Sequence, residues 1–427
     1  MVDSEKLKSI LFDPKETKEN RLSALKALRD LHLSGELEMP KAGEFVNNHI
    51  HTCYSFSPYT PAAALYSAWI AGLKTAGIMD HDSIGGADEF IESGKILSMP
   101  ITVGCEMRVS VKGTALEGRR LNNPDQISCA YVAMHGIPHG NFSMIEDVLA
   151  KKRAERNIRN RKMCEKINAL AAPFDIEISF ENDVMPLSEC ERGGSITERH
   201  VLFALTNAIC EKYPDRQDAV SVVEKMSGAD LSEKKKSALV EATEKFYKYD
   251  LLGVMKSGLI EKIYIDADAE LLHISEFISL AKEAGAISAY AYLGDVGESP
   301  TGDKKAQKFE DDYIELLFSE LKKLGFNAVT YMPSRNTSEQ LSRVMGLCES
   351  HGFFQISGED INSPRQSFIC PAAEKPEFAH LKKATYALIG HELSATEKIE
   401  NSMFSDANKE KNLNERIDFY AAKGGLK

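Results

Sequence analysis

The sequence predicts an α/β chain, a (β/α) barrel interrupted by a helical insert, on three observations. Strand and helix patterns alternate over 43–112 and again over 286–357, as parallel strands with covering helices do. The stretch between them, about 141–275, is mostly helical and charged in pattern. Four separate strand candidates end in residue types that bind metal ions: His49 with His51, His81 between Asp80 and Asp82, Glu106, and Asp360. Barrels of this kind carry their active sites at the C-terminal strand ends. A doubly wound open sheet is the structural alternative. It does not naturally gather ligands from the first and last strands at one point.

In chain order, residues 1–42 read as a helical extension, with Leu22, Leu25, Leu28 and Leu31 at roughly helical spacing. The barrel is discontinuous, 43–140 and 276–375. Its first strand, from 44, leads into His49-Ile50-His51. A helix over 61–70 follows, with Pro61 at a tolerated first-turn position and Gly72 near its exit. One apolar run enters Gly77-Ile78-Met79-Asp80-His81-Asp82, and another ends Val103-Gly104-Cys105-Glu106. A loop at 113–126 precedes a strand at 127–133. The inserted domain, 141–275, carries Arg153, Arg156 and Arg159 at helical spacing, either a solvated face or an anion-binding surface over the cleft. Strands at 286–292, 327–331 and 353–357 alternate with helices near 308–324 and 337–351. The C-terminal extension, 376–427, is expected to pack on the outside.

The 427 residues suffice for a large core, and 27% charged residues is ordinary for a globular protein. A net charge of -12 argues against nucleic acid or an anionic membrane as the main partner, though not against a local basic site. The eight cysteines form no C-x-x-C pair, and no signal peptide precedes them, so reduced thiols in a soluble, cytoplasmic protein are expected. No stretch approaches the roughly 18 apolar residues of a membrane span.

Residues i and i+2 of a strand share a face, so His49 and His51 project together. Alone they are also readable as a polar pair at a pocket rim, and Asp360 alone as a turn residue. Together with Glu106 they make a mixed nitrogen and oxygen set suited to Zn²⁺, Mn²⁺ or Fe²⁺. His81 is a further ligand, a general acid/base or an orienting group, with a neighbouring carboxylate holding a ring N–H. Asp82 or Ser83 also fits as cap of a helix from Ile84 onward. Arg335 follows a strand end and suits a phosphate, or else a solvated loop.

The runs His49-Ile50-His51-Thr52, Asp80-His81-Asp82-Ser83 and Gly104-Cys105-Glu106 resemble the PHP superfamily (polymerase and histidinol phosphatase) patterns H-x-H-[ST], T-D-H-D and G-x-E. The segment 196–205 around His200 resembles its G-R-P-H segment. Tyr331 to Gln340 resembles H-P-S-x-x-x-x-E-Q, and Gly358-Glu359-Asp360 resembles G-S-D. The matches run in family order over 49–362, with the insert placed as in the phosphoesterase branch.

The resemblance implies a distorted (β/α)7 barrel with up to three metals, hydrolysing phosphate esters with metal-activated water. It assigns His49, His51, Glu106 and Asp360 to a first metal site, with His81 beside it. His81 and His200 are then expected in proton transfer, and His200 and Arg335 in binding the phosphate of a small phosphorylated substrate. The chain departs from the pattern elsewhere. Tyr292 and Asn362 stand where the family has histidine, the strand at 128–134 has no imidazole, and the Asp or His shortly after H-x-H is missing from 53–58. A phenol with a pKa near ~10 is a poor ligand beside imidazole. At least one divalent ion is expected, and a single one is the sharper expectation. A degenerate barrel that binds metal or a phosphorylated ligand without turnover is the rival expectation, and amide hydrolysis on one metal a third.

Overall fold

The computed structural model describes residues 3–297 and 307–426. Among them, one mixed sheet carries β1 (Phe45–Ile50), β2 (Leu73–His81), β3 (Ile101–Ser110), β4 (Cys129–His135), β5 (Leu272–His273), β6 (Ile287–Ala291), β7 (Ala328–Tyr331) and β8 (Phe354–Ser357). The order is β1-β2-β3-β4-β6-β7-β8, with the short β5 paired to the far end of β3. β1, β2 and β3 run parallel, as do β6, β7 and β8. β4 is antiparallel to both its neighbours, which corrects the expectation of uniform alternation. It also lies two residues later than the 127–133 read from sequence.

The sheet curls until its ends meet. Ile50 at the end of β1 forms a parallel bridge with Ile361, beyond β8. The His51 amide donates to the Ile361 carbonyl at 2.9 Å, and the Ile361 amide to the His49 carbonyl at 3.1 Å. Gly358 makes this approach possible: a Cβ there would stand 2.7 Å from the backbone nitrogen and Cβ of His49. First and last strands therefore do deliver side chains to one place, which an open doubly wound sheet would not.

The strand pleat sorts the core. Tyr290 and Val329 point to the outer face, in a cluster with the helices Ile274–Ala284 and Ile314–Leu324. Ala289, Ala328 and Ile356 point the other way and pack on Ala384, Ala387 and Leu388 of the helix Ala379–Glu397. That helix does not lie on the outside as expected. It covers the face that bears the site, at the opposite end of the strands. Its Glu392 accepts from the Thr102 hydroxyl and the Val103 amide at the start of β3, both at 2.7 Å.

The N-terminal helices Ser4–Phe12 and Lys18–Leu33 dock through Leu25 and Leu28, and through a buried pair of Arg21 with Glu89. The insert has its own apolar core, built from helices including Phe142–Ala171, Glu198–Lys212 and Glu244–Ile263. No helix among the described residues is long and apolar enough to cross a membrane.

Candidate metal centre

His49 lies on β1 and His51 just beyond its end, on the same face, and their Nε2 atoms face each other at 3.2 Å. Glu106 is not at a strand end, because β3 continues to Ser110. Its place is fixed by register instead, between His81 on β2 and Ala133 on β4. Glu106 Oε2 stands 3.6 Å from His49 Nε2, 4.0 Å from His51 Nε2 and 3.0 Å from His81 Nδ1. Asp360 Oδ1 reaches His51 Nε2 at 3.2 Å. Donor atoms of His49, His51 and Glu106 all lie within 4.8 Å of one another.

Those separations can be tested against a metal. Ligands at ~2.0–2.1 Å around a tetrahedral ion stand about 3.3 Å apart. The spacings of 3.2, 3.6, 4.0 and 3.2 Å bracket that value. Burial opposes ionisation of Glu106, but His81 and His49 outweigh it and hold the carboxyl well below the usual range; against its burial, the same pairing raises His49, so an ion bound here displaces a proton from that ring. His51 is pushed down by burial and by neighbouring His81, which favours its neutral form.

Second-layer contacts fix the tautomer of His51. Asp80 accepts the Ser55 hydroxyl at 2.6 Å, the Thr52 amide at 2.7 Å and the Thr52 hydroxyl at 2.6 Å. With its proton committed to Asp80, the Ser55 oxygen accepts from His51 Nδ1, at 3.3 Å. The Nε2 lone pair is left pointing into the cluster. Asp80 thus reaches an imidazole through a serine, a link the sequence did not expose.

Asp82 is buried, in a left-handed conformation (φ 46°), with Oδ2 2.6 Å from Arg156. Neither it nor Ser83 caps a helix: the helix is Ala87–Leu97, capped at Gly86 without a side chain. Arg153, Arg156 and Arg159 form no solvated face, for all three are buried. Arg159 pairs with Glu270 and Glu198, each at 2.6 Å, and Arg156 with Glu270 at 3.2 Å. Arg108 of β3 pairs with the same two glutamates.

The centre opens onto a cleft. Phe56, Leu202 and Ile260 wall one side, Tyr331 and Met332 another. His81 lines it, partly exposed, and so does Arg335. His200 is placed differently from the expectation of a proton-transfer or phosphate-binding group. It is buried, its Nδ1 accepts the Thr197 amide at 2.9 Å in a capping box, and its ring meets Phe56 edge-on at 5.0 Å. That role is helix capping. Tyr292 donates to Asp311 at 2.5 Å. His135, at the end of β4, is buried with neither ring nitrogen partnered among the described residues.

Buried neutral histidines set a pH dependence. Burial pushes His200 down to about 3 and His391 to about 4. His391 Nδ1 accepts the Met403 amide at 2.9 Å, so it cannot take a proton without losing that bond. The unfolded chain protonates near ~6.5, ahead of the folded one, so stability is whole above that value and lost as pH falls below it. Each group contributes about 1.4 kcal/mol per pH unit in that window. The urea midpoint of the metal-free protein is expected to fall from pH 6.5 to 4.5, less steeply than these histidines alone would give because burial pushes Glu310 up to about 7 and works the other way. His391→Gln is expected to lose part of the slope, and an unchanged slope would contradict the buried neutral assignment.

No family model matches the chain, and no curated protein matches it. Six solved chains match it in fold. One is a protein assigned as a metal-dependent phosphoesterase from Bifidobacterium adolescentis, at TM-score 0.50 and 20% identity, covering 78% of this chain and 94% of that one. Another is an amidohydrolase from Chromobacterium violaceum with bound sulfate and no metal, at TM-score 0.50 and 16% identity, covering 80% and 97%. The likeness is one of fold.

Proposed function

We propose that the chain is a metal-dependent phosphoesterase on a distorted (β/α)7 barrel of PHP type, acting on a small phosphorylated metabolite or nucleotide. The observation that carries this reading is the meeting of His49, His51, Glu106 and Asp360, from three separate parts of the chain, at donor spacings that suit one Zn²⁺, Mn²⁺ or Fe²⁺. Such an ion, when bound, polarises a phosphoryl oxygen and brings the pKa of water toward neutrality.

The chain's own groups supply the rest. Arg199, Lys256 and Arg335 line the cleft and place positive charge where a phosphate would lie, despite the acidic whole. His81, with Nδ1 held by Glu106, keeps its other nitrogen for a proton passed to the leaving oxygen. Phe56, Leu202 and Ile260 exclude water from one wall. His200 is left out of the reacting set.

Specific observations also favour binding without turnover. Ala133 faces Glu106, Tyr292 is committed to Asp311, and Asn362 replaces an imidazole, so the two-metal clamp on attacking and leaving oxygens lacks its ligands. A panel of phosphate esters and amides, offered to the protein stripped with chelator and reloaded with one equivalent of Zn²⁺, Mn²⁺ or Fe²⁺, separates the readings. Metal-restored phosphate release is expected. Bound metal without turnover would favour the binding module, and activity on amides alone would overturn the phosphoesterase.

A further inference from the structure

Asp360 differs from the other donors in how it is held. Glu106 sits on a strand whose register fixes it, and the His49 backbone on β1 is tied by the Ile361 amide at 3.1 Å. Asp360 lies beyond the end of β8, partly exposed, where no ladder sets its side chain. The oxygen that faces the cluster, 3.2 Å from the His51 Nε2 lone pair, is held by the amide of Asn362, whose Nδ2 donates to that Oδ1 at 2.6 Å.

The Asn362 amide is itself clamped. Its Oδ1 accepts from Arg199 Nη1 at 2.6 Å, and its backbone amide donates to Gln366 Oε1 at 2.7 Å. Which end of an asparagine amide is oxygen is ordinarily an assignment. Here charge decides it: a flipped amide would set NH₂ against a guanidinium and a carbonyl against a carboxylate. Both bonds are charge-assisted, and a chain of such bonds polarises each of its members. Arg199 belongs to the insert, in the first turn of the helix Glu198–Lys212, with its guanidinium carbon 6.0 Å from the Phe56 ring centroid. Asn362 is buried, and the bridge of Ile361 to β1 anchors the backbone between it and Asp360.

We infer that Asn362 is a positioning residue that aims Asp360 at the metal centre, and that Arg199 of the inserted domain holds it there. A place that resembles a family ligand position thereby serves a ligand instead of being one, and the insert completes the centre. This rests on the metal reading above.

The test is metal affinity, measured by competition between the protein and a chromophoric zinc chelator, with folding checked by circular dichroism. Removal of an outer-layer partner of a ligand commonly weakens binding ~10–100-fold. Asn362→Ala is expected to weaken Zn²⁺ binding about 10-fold. Arg199→Met is expected to weaken it several-fold, with Arg199→Lys recovering part of that loss. The double variant Asn362→Ala/Arg199→Met is expected to bind no worse than Asn362→Ala, because Arg199 acts through Asn362. Affinity within twofold of the parent in both single variants, while His51→Ala loses the ion, would overturn the inference alone. An additive double variant would overturn the relay. If His51→Ala also binds as the parent does, the metal reading itself fails.

Discussion

His51→Ala is expected to lose Zn²⁺ affinity by well over about 100-fold, beyond the range seen when only a supporting partner is removed, and to lose metal-restored hydrolysis with it. His51 is the hub of the cluster: its Nε2 stands 3.2 Å from both His49 Nε2 and Asp360 Oδ1, and 4.0 Å from Glu106. It is fully buried, and Ser55 holds its other nitrogen. No neighbour replaces its lone pair, since His81 is turned to Glu106 through Nδ1 at 3.0 Å. Metal content after dialysis, read by mass spectrometry beside an Arg335→Ala control, checks this. The control should keep the ion and raise KM. Equal metal content in parent and His51→Ala would contradict the assignment.

Glu270→Gln is expected to be the most destabilising isosteric change in the molecule, by about 3–5 kcal/mol. Arg108, Arg156 and Arg159 converge on this carboxylate from β3 and from the insert, and all four side chains are buried. Three buried guanidinium groups stand against Glu270, Glu198 and Asp82. Neutralising Glu270 leaves one positive charge uncompensated, where desolvation is severe. The ionised form is already strongly favoured: burial works against it, but Arg156, Arg108 and Arg159 win and lower its pKa. Since the network joins insert to barrel, its loss is also expected to loosen the seat of Arg199. Urea denaturation at pH 7 checks the size, and a loss under 1 kcal/mol would show that solvent reaches the cluster.

The paired histidines were legible because strand alternation puts i and i+2 on one face whatever the surroundings. Asp360 was legible only in company with them, since a turn aspartate looks the same alone. Strand direction was not legible: the residues of β4 read equally well as parallel or antiparallel, and only pairing to β3 and β6 decides. Arginines at 153, 156 and 159 have the spacing of a solvated face and of a buried one alike. The difference lies in Glu198 and Glu270, far along the chain. His200 resembled a reacting group, yet the capping box with Thr197 takes its Nδ1. The helix Ala379–Glu397 carried mixed polarity because its polar residues are buried too: Glu392 and His391 bond to backbone at the closed end of the sheet.

Side chains distant in sequence are proposed to enclose one divalent cation. Anomalous difference maps collected on either side of the zinc, iron and manganese edges, from crystals of the protein as purified, test it most directly. One element-specific peak is expected about 2 Å from His49 Nε2, His51 Nε2 and a Glu106 oxygen, with Asp360 beside it. A peak bound elsewhere, or the two imidazoles turned apart around a metal held by other residues, would contradict it.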